Sequence, residues 1–246
     1  MLIKNLFKNA NFCFATQIPD VSTYHKSQTS SLDTLLIKVS KTDQFIATIS
    51  KVDAHLNANP DAIHRAFSLF IFDRTSRLLL QQRSDVKITF PGYWTNTCCS
   101  HPSNRNKERR VHGCGGVRLA ATKRLKFEMG IRLDHPQRVF PVQKVYYQAK
   151  YDETWGENEV DYVLFAKLPF RYENKPEVRF NKNEVKAVHW IERGKIHAFL
   201  KEREEKGEKT TPWMKKILDY KLMQWWEAFE TGALKGDLKQ TVDLMV

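Results

Sequence analysis

Hydrophobic and polar residues alternate along this chain in short blocks that predict many strands and a few helices. Apolar runs of strand length recur from residue 35 onward, each bounded by polar residues, a pattern typical of a strand-rich domain. The runs predicted as strands are LLIKVS (35–40), QFIATISK (44–51), AFSLFIFD (66–73), RLLLQQR (77–83), KVYYQAKY (144–151), VDYVLFAKL (160–168) and VKAVHWIE (185–192). Only Arg-Thr-Ser separates the third run from the fourth, so we predict a hairpin there. Strands mixed with a few helices predict an α+β fold.

Three segments carry helical signals. Residues 117–130 have apolar side chains at helical spacing, and Gly130 marks the predicted end of that helix. Residues 199–210 are charged, and we predict a helix there that is interrupted at Gly207. Thr211-Pro212 predicts the start of another helix, with threonine as N-cap and proline in the first turn. The apolar face predicted for this last helix is Met214, Ile217, Leu218, Leu222, Trp225 and Phe229.

The N-terminal residues differ in composition from the rest. We interpret residues 1–34 as an N-terminal extension and residues 35–246 as a single domain with C-terminal helices. Residues 20–34 are polar and rich in serine and threonine, which predicts a linker. Residues 1–19 contain no acid, two lysines and several large apolar residues. This composition fits either a mitochondrial presequence or a loosely packed extension.

Cysteine content and hydropathy bear on the compartment. Four cysteines in 246 residues do not suggest a disulfide framework, which favours a reducing, cytoplasmic compartment. Mitochondrial or peroxisomal targeting remains an open alternative. The chain contains no run of about eighteen apolar residues, so stable membrane insertion is not expected.

The charge is strongly positive and unevenly distributed. The formal net charge is +12, and residues 101–126 contain many lysines and arginines but a single acid, Glu108. Such an excess suits a polyanion, a membrane surface or a phosphorylated small substrate, and its simplest reading is a solvated basic face. No RNA-recognition signature or zinc-finger spacing accompanies it, so a nucleic-acid partner is not expected.

Residues 95–102, TNTCCSHP, hold two adjacent cysteines followed by a histidine. A disulfide between adjacent residues would place the Cα atoms about 3.8 Å apart, below the usual disulfide range. A structural zinc site needs about four soft ligands, and no second cysteine pair exists. With a disulfide and a structural zinc site set aside, the remaining interpretation is a thiol near a histidine. If the segment is extended, Cys99 and His101 face one side, and Cys98 faces the other as a small core residue.

Histidines and glutamates elsewhere suggest a metal site. His55, His64 and His101 are potential imidazole ligands, and Glu157 and Glu159 in GENEV face the same side of an extended chain. Three imidazoles with two carboxylates suit a divalent ion such as Zn²⁺ or Mn²⁺. The simpler alternatives are structural histidines and a solvated turn.

Basic residues near these segments are candidates for phosphate contacts. The candidates Lys51, Arg83 and Lys87 flank the same segments. Arginine forks suit phosphate oxygens, and lysine supplies a point charge. Ordinary surface charge is the alternative for each of them.

Taken in order, several segments resemble type I isopentenyl diphosphate isomerase, a family with a Nudix-like mixed α/β fold. The segments are KVDAH (51–55), HRAFSLFIFD (64–73), LLLQQRSDVKITFPGYWTNTCCSHP (78–102), VRLAATKRLKFEMGI (117–131), YYQAKYDETWGENEVDYVLF (146–165) and TPWMKKIL (211–218). The resemblance extends from about residue 35 to 230. It implies interconversion of isopentenyl and dimethylallyl diphosphate in isoprenoid biosynthesis, by protonation and deprotonation through a carbocation. It also implies a small diphosphate substrate, and we expect a monomer or weak dimer.

The resemblance implies roles for individual residues. The catalytic residues would be the Cys99 thiol, the Glu157 carboxylate, Tyr147 and Trp213, whose π face can stabilise a cation. The alternative for Trp213 is a core aromatic at the start of a helix.

The resemblance also implies the cofactors and their ligands. The metal ligands would be His55, His64, His101, Glu157 and Glu159, holding Zn²⁺, Mn²⁺ or Mg²⁺. The diphosphate contacts would be Lys51, Arg83, Lys87 and Arg124. Glu128 would assist a Mg²⁺ ion that accompanies the diphosphate.

Two other functions compete with isomerisation. A Nudix hydrolase has the signature G-x5-E-x7-R-E-U-x-E-E-x-G-U, and aligned on EMGI this chain keeps only Glu128 of its glutamates. Lys123, Arg124, Phe127 and Gly115 stand at the other signature positions, and hydrolysis of this type needs several carboxylates around its metals. The remaining alternative is a basic RNA- or membrane-binding protein that uses residues 101–126.

Overall fold

The central strand, β3 (His64–Phe72), is buried along its whole length. Its near-continuous apolar sequence is the pattern of a strand covered on both faces. The computed structural model describes residues 19–105, 107–109, 114–172 and 178–245. The other strands are β1 (Leu35–Val39), β2 (Phe45–Ser50), β4 (Leu78–Arg83), β5 (Trp94–Thr95), β6 (Cys98–Ser100), β7 (Phe140–Lys150), β8 (Gly156–Lys167), β9 (Val185–Ile191) and β10 (Asp237–Asp243).

These strands form one mixed sheet in the order β10-β7-β8-β3-β1-β2. β3 runs parallel to β8, with His64 opposite Glu159, and β7 pairs antiparallel with β8. β10 runs parallel to β7, and β6 pairs antiparallel with β3. β4 pairs with both β5 and β9. The sheet is therefore branched beside β3, and the site described below lies along this branch.

The predicted hairpin between β3 and β4 is correct only at its turn. Asp73 closes the turn by accepting a 2.8 Å hydrogen bond from the Arg77 amide, but the strands pair only at Phe72 and Leu78. Beyond this pair β6 takes the place beside β3, and β4 turns to β9. Local turn chemistry predicts where the chain reverses but not which strand occupies the neighbouring position.

Helices cover both faces of the sheet. They are α1 (Lys26–Thr29), α2 (Lys51–His55), α3 (Gly115–Met129), α4 (Ile196–Glu205), α5 (Pro212–Ile217) and α6 (Met223–Glu230). Short 3₁₀ turns occur at Pro136–Arg138, Phe170–Tyr172 and Arg193–Lys195. On β3, Phe70 and Phe72 pack with α5 and α6, whereas Leu69 and Ile71 pack with α3. This alternation follows from the two-residue period of a strand, and it confirms the α+β prediction.

Helix α3 confirms the helix predicted for residues 117–130. Val117, Ala120, Ala121, Leu125 and Met129 are all buried. Gly130 ends the helix with φ +68°, and a Cβ there would lie 2.6 Å from the Arg179 carbonyl oxygen. Both facts explain a glycine at this C-terminus.

The predicted apolar face of the last helix packs on the core, but the prediction omitted its most deeply buried tryptophan, Trp226. A π-helical turn over Leu218–Leu222 separates α5 from α6, and the wider turn shifts the phase of the residues that follow. Trp226 is therefore fully buried, whereas Trp225 is only partly buried. Thr211 stands at the N-cap position, but its side chain donates to the Thr95 hydroxyl at 2.8 Å instead of capping the helix.

The linker predicted for residues 20–34 instead packs on the domain. α1 lies within it, the Trp155 indole N–H donates to the Tyr24 hydroxyl at 2.8 Å, and Leu32 packs beside Trp155. Apolar side chains spaced among the polar ones anchor this segment. The presequence prediction falls on residues 1–19, of which 1–18 lie outside the described residues.

Candidate active site

Three histidines and two glutamates meet at one end of the central strands. His55 ends α2, His64 begins β3, His101 follows β6, and Glu157 and Glu159 project from the same side of β8. One ligand atom from each of the five lies within 4.8 Å of all the others. The parallel pairing of β3 with β8 sets His64 opposite Glu159. The residues predicted as metal ligands are thus brought together.

The hydrogen bonds of the cluster direct its imidazoles toward a common centre. The Nδ1 atoms of His55 and His64 lie 2.7 Å and 3.0 Å from the carbonyl oxygens of Lys51 and Ala62. Each Nε2 atom is thereby turned to the carboxylates, and His55 Nε2 lies 3.1 Å from Glu157. A metal-ligating histidine usually donates its other ring N–H to a group such as a backbone carbonyl, which fixes the orientation of the ring.

Unsatisfied buried atoms show that the cluster fits a cation. His64 Nε2 lies 3.4 Å from a Glu159 oxygen, yet neither His64 Nε2 nor Glu157 Oε2 forms a hydrogen bond within the described residues. Burial would raise the pKa of Glu157, but the charge of His55 holds that pKa below its usual value. Ionised carboxylates beside imidazole nitrogens, with buried polar atoms left over, are the donor set of a divalent metal site.

The two adjacent cysteines face opposite sides, as predicted. Cys98 is fully buried in the core beneath α3, whereas Cys99 lines the pocket beside the cluster. Burial raises the pKa of the Cys99 thiol to about 12. Arg83 Nη1 lies 3.7 Å from the Cys99 sulfur. The thiol therefore carries its proton at neutral pH.

Tyr147 and Trp213 form an aromatic wall of the same pocket. The Tyr147 hydroxyl donates to Glu159 Oε2, and burial raises the pKa of Tyr147 well above its usual value. The Trp213 ring stacks near the Tyr147 ring, and its indole N–H donates to Asn96 Oδ1 at 3.1 Å. Trp213 lines the pocket, and the guanidinium carbon of Arg83 lies 5.5 Å from the centroid of its ring.

Four basic residues, Lys51, Arg83, Lys87 and Arg124, line the same pocket, and we refer to their part of it as the basic end. The pocket is lined by Gln28, Leu32, Lys51, His55, Arg83, Lys87, Ile88, Thr89, Cys99, Ser100, His101, Arg124, Tyr147, Trp155, Glu157, Glu159 and Trp213. Burial and the charges of Lys87 and Arg124 lower the pKa of Lys51 to about 8. Arg83 is held by donating to the carbonyl oxygens of Phe90 at 3.0 Å and Thr89 at 2.8 Å. Converging cations of this kind suit a diphosphate group.

Glu128 lies apart from the five-residue cluster. Its carboxylate is buried, and it accepts hydrogen bonds from Arg124 Nε at 2.7 Å and Gln81 Nε2 at 3.2 Å. It does not line the pocket as described. Its predicted role beside a Mg²⁺ ion therefore stays a prediction.

Four residues of the site have no role in the sequence interpretation. Thr89 donates to Glu157 Oε1 at 2.9 Å, and Asn96 holds Trp213. Glu184 accepts from two of the basic residues, and Gln28 donates to Glu184. Asn96 lies within TNTCCSHP, so its position beside the cysteines was an available signal. Short polar residues such as Thr89, and an isolated Glu184, carry no such signal.

Comparison with known proteins decides the family. A family model described as the NUDIX domain matches residues 62–214. Isopentenyl-diphosphate Delta-isomerase 1 of Mesocricetus auratus is 38% identical over 216 residues, covering 85% of this chain and 92% of that protein. Isopentenyl-diphosphate Delta-isomerase II, chloroplastic, of Arabidopsis thaliana is 39% identical over 215 residues, covering 85% of this chain and 72% of that protein. The chain belongs to the isopentenyl-diphosphate Delta-isomerase family.

Further matches agree with this family and its fold. Isopentenyl-diphosphate delta-isomerase of Phaffia rhodozyma is 36% identical over 211 residues, covering 83% of this chain and 80% of that protein. The crystal structure of DR0079 from Deinococcus radiodurans superposes with a TM-score of 0.51 at 13% identity, covering 75% of this chain and 97% of that one. The Nudix fold prediction is confirmed, and the hydrolase alternative is not favoured. Among the described residues, no helix is both long and apolar enough to cross a membrane.

Proposed function

We propose that this member of the isopentenyl-diphosphate Delta-isomerase family interconverts isopentenyl and dimethylallyl diphosphate in isoprenoid biosynthesis. One observation carries the proposal. A single pocket is lined by a thiol, a tyrosine and a tryptophan together with carboxylates and histidines of a metal-type cluster and a group of cations. A diphosphate with a short branched alkene matches both ends of this pocket in charge and polarity.

The basic end of the pocket would bind the diphosphate. Arg83 and Arg124 supply planar forks for phosphate oxygens, and Lys51 and Lys87 supply point charges. The substrate is short, so a diphosphate bound at this end would place the alkene near Cys99 and Tyr147. Holding the alkene next to the proton donor is essential, since an alkene is a very weak base.

Two proton-exchanging groups would carry out the isomerisation. One adds a proton to the terminal carbon of the alkene, which leaves a tertiary cation, and the other removes a proton from the carbon on the far side of that cation. We assign one role to Cys99 and the other to Glu157 with Tyr147. Since the reaction is reversible, each group acts as acid in one direction and base in the other. The π face of Trp213 would stabilise the cation by about 2 kcal/mol in a desolvated pocket.

The donor atoms fit a divalent metal ion held by His55, His64, His101, Glu157 and Glu159. We propose Zn²⁺, Mn²⁺ or Mg²⁺ there, since the imidazoles suit Zn²⁺ and the carboxylates suit Mn²⁺ and Mg²⁺. Such an ion would fix the position of the Glu157 carboxylate and lower its basicity. We further propose a Mg²⁺ ion with the diphosphate, with Glu128 as its protein carboxylate.

Incubation with isopentenyl diphosphate and Mg²⁺ in D₂O tests the proposal. We expect NMR to show dimethylallyl diphosphate that carries deuterium, and the Cys99→Ala variant to form none. Release of phosphate without the allylic product would support the hydrolase instead. Unchanged substrate, with a folded and metal-loaded protein, would exclude both enzyme functions.

The proposal extends to the cellular location and the oligomeric state of the enzyme. We propose a cytoplasmic enzyme that acts as a monomer or weak dimer, with import into mitochondria or peroxisomes directed by residues 1–34 as the alternative. Fractionation of cells that express the tagged full chain would distinguish these locations.

A further inference from the structure

Glu184 is a buried carboxylate placed among the proposed diphosphate-binding cations. It precedes β9 and is 4% exposed. Its Oε2 atom accepts hydrogen bonds of 2.6 Å from both Lys87 Nζ and Arg124 Nη2. The same guanidinium donates through Nε to Glu128 at 2.7 Å. Arg124 is therefore clamped between two carboxylates, which fixes the plane of its fork.

The cations need this carboxylate because they are close together and shielded from water. Lys51, Lys87 and Arg124 line one pocket, and burial together with the charges of the other two lowers the pKa of Lys51. Unpaired like charges repel strongly when they are removed from water. Although burial opposes ionisation, Lys87 and Arg124 lower the pKa of Glu184 to about 2, so it is ionised at neutral pH. One negative charge thus keeps two basic side chains in the pocket before substrate binds.

Glu184 also connects the N-terminal segment to the pocket. Gln28, in α1, is buried, and its Nε2 atom donates to Glu184 Oε1 at 3.2 Å and to the Asn183 carbonyl oxygen at 3.1 Å. Gln28 and Leu32 line the pocket themselves. The N-terminal wall of the diphosphate end is therefore made by Gln28 and Leu32, and the segment that carries them is anchored by the contact of Tyr24 with Trp155.

We propose that Glu184 is a positioning residue for diphosphate recognition, which holds Lys87 and Arg124 in place and fastens the N-terminal wall through Gln28. This inference rests on the proposed function, because it takes the basic end of the pocket as the diphosphate site. Among the described residues, the Glu184 side chain bonds to Gln28, Lys87 and Arg124, and not to Cys99, Tyr147 or Glu157. Its loss should therefore change substrate affinity and leave the chemical step intact.

The test measures binding and catalysis separately in the full chain. Calorimetric titration with inorganic diphosphate and Mg²⁺ reports binding without any isomerisation, and steady-state kinetics with isopentenyl diphosphate give KM and kcat. For Glu184→Gln we expect binding of inorganic diphosphate to weaken about tenfold and KM to rise by a similar factor. We expect kcat to stay within about twofold of wild type, because uniform binding alone is lost.

Three further variants separate positioning from stability. Glu184→Asp keeps the charge and should recover part of the lost affinity. Gln28→Glu leaves Glu184 in place but adds a facing carboxylate, so it too should weaken diphosphate binding. Glu108→Gln is the matched control, because Glu108 is another buried glutamate that accepts a lysine hydrogen bond, from Lys123, and it does not line the pocket. It should leave both affinity and KM unchanged.

Opposite results would overturn the inference. Equal or tighter diphosphate binding by Glu184→Gln would show that the carboxylate merely competes with the ligand for the cations. A fall in kcat at constant KM would place Glu184 in the chemical step instead. Failure of the proposed function looks different, because wild-type protein would then form no allylic product while the calorimetric comparison could still be made.

Discussion

The indole of Trp213 stacks on the phenol ring of Tyr147, with ring centroids 6.1 Å apart and planes 24° from parallel. Trp213 is also tied to Asn96 through its indole N–H. We predict that Trp213→Leu lowers kcat about 30-fold, because a desolvated cation–π contact of about 2 kcal/mol is lost. Trp213→Phe keeps a smaller π face and should lower kcat by a smaller factor. Steady-state kinetics check this, and Trp226→Phe, a buried tryptophan on α6, should lower stability but not kcat.

The adjacent cysteines provide a second, internally controlled prediction. Cys99→Ala should abolish deuterium incorporation, since the proton-bearing thiol in the pocket is removed. Cys98→Ala should stay active and lose about 1 kcal/mol of unfolding free energy, because it only leaves a small cavity in the core. NMR in D₂O and urea unfolding measure the two effects. An active Cys99→Ala enzyme would remove the thiol from the proposed reaction.

Metal removal should affect both stability and activity. A metal ion bound only by the folded chain stabilises it by about 2.7 kcal/mol when present at a hundred times its dissociation constant. We therefore expect chelation to lower the melting temperature, and calorimetry with Zn²⁺, Mn²⁺ or Mg²⁺ alone to show one site in the five-residue cluster. His64→Ala should lose that site. His189→Ala, which alters a histidine stacked on Phe199 away from the cluster, should retain it.

The hydrogen bond from Thr89 to Glu157 should affect kcat. Its hydroxyl donates to Glu157 Oε1 at 2.9 Å, so Thr89→Val leaves a buried carboxylate oxygen without that partner at a cost of about 1–3 kcal/mol. We expect kcat to fall about tenfold or more with little change in KM. Thr89→Ser retains the hydroxyl and should restore most of kcat. Equal kcat values for the valine and serine variants would contradict the prediction.

Glu184 should also make stability depend on acid pH. Its pKa is lowered from 4.5 to about 2 in the folded chain, so the unfolded chain binds the proton first as pH falls. The stabilisation is complete above pH 4.5 and is lost as pH falls through 2. We expect wild type to exceed Glu184→Gln in unfolding free energy at neutral pH, with the difference shrinking over that acid range. Urea titrations of both proteins across that range measure it, and a difference independent of pH would contradict the assignment.

The sequence predicted most helices and strands, but not always which helix residues face the core or which segments pack on the domain. The alternation within β3 and the spacing within α3 are local properties, and both predictions are confirmed. The choice of Trp226 over Trp225 as core residue depends on a π-helical turn, which no local pattern announced. The packing of residues 21–32 was equally hidden, because polar residues outnumber their few anchoring side chains.

The sequence by itself determined the types of chemistry that this protein contains. Period-two alternation in TNTCCSHP and GENEV separated Cys99 from Cys98 and set Glu157 and Glu159 on one side, because adjacent side chains of a strand point to opposite faces. The tertiary structure alone decided that α2, β3, β6 and β8 bring five candidate ligand atoms within 4.8 Å of one another, and that Glu184 meets Lys87 and Arg124. These contacts join residues far apart in the chain, and strand register and core packing set them, neither of which a local pattern contains.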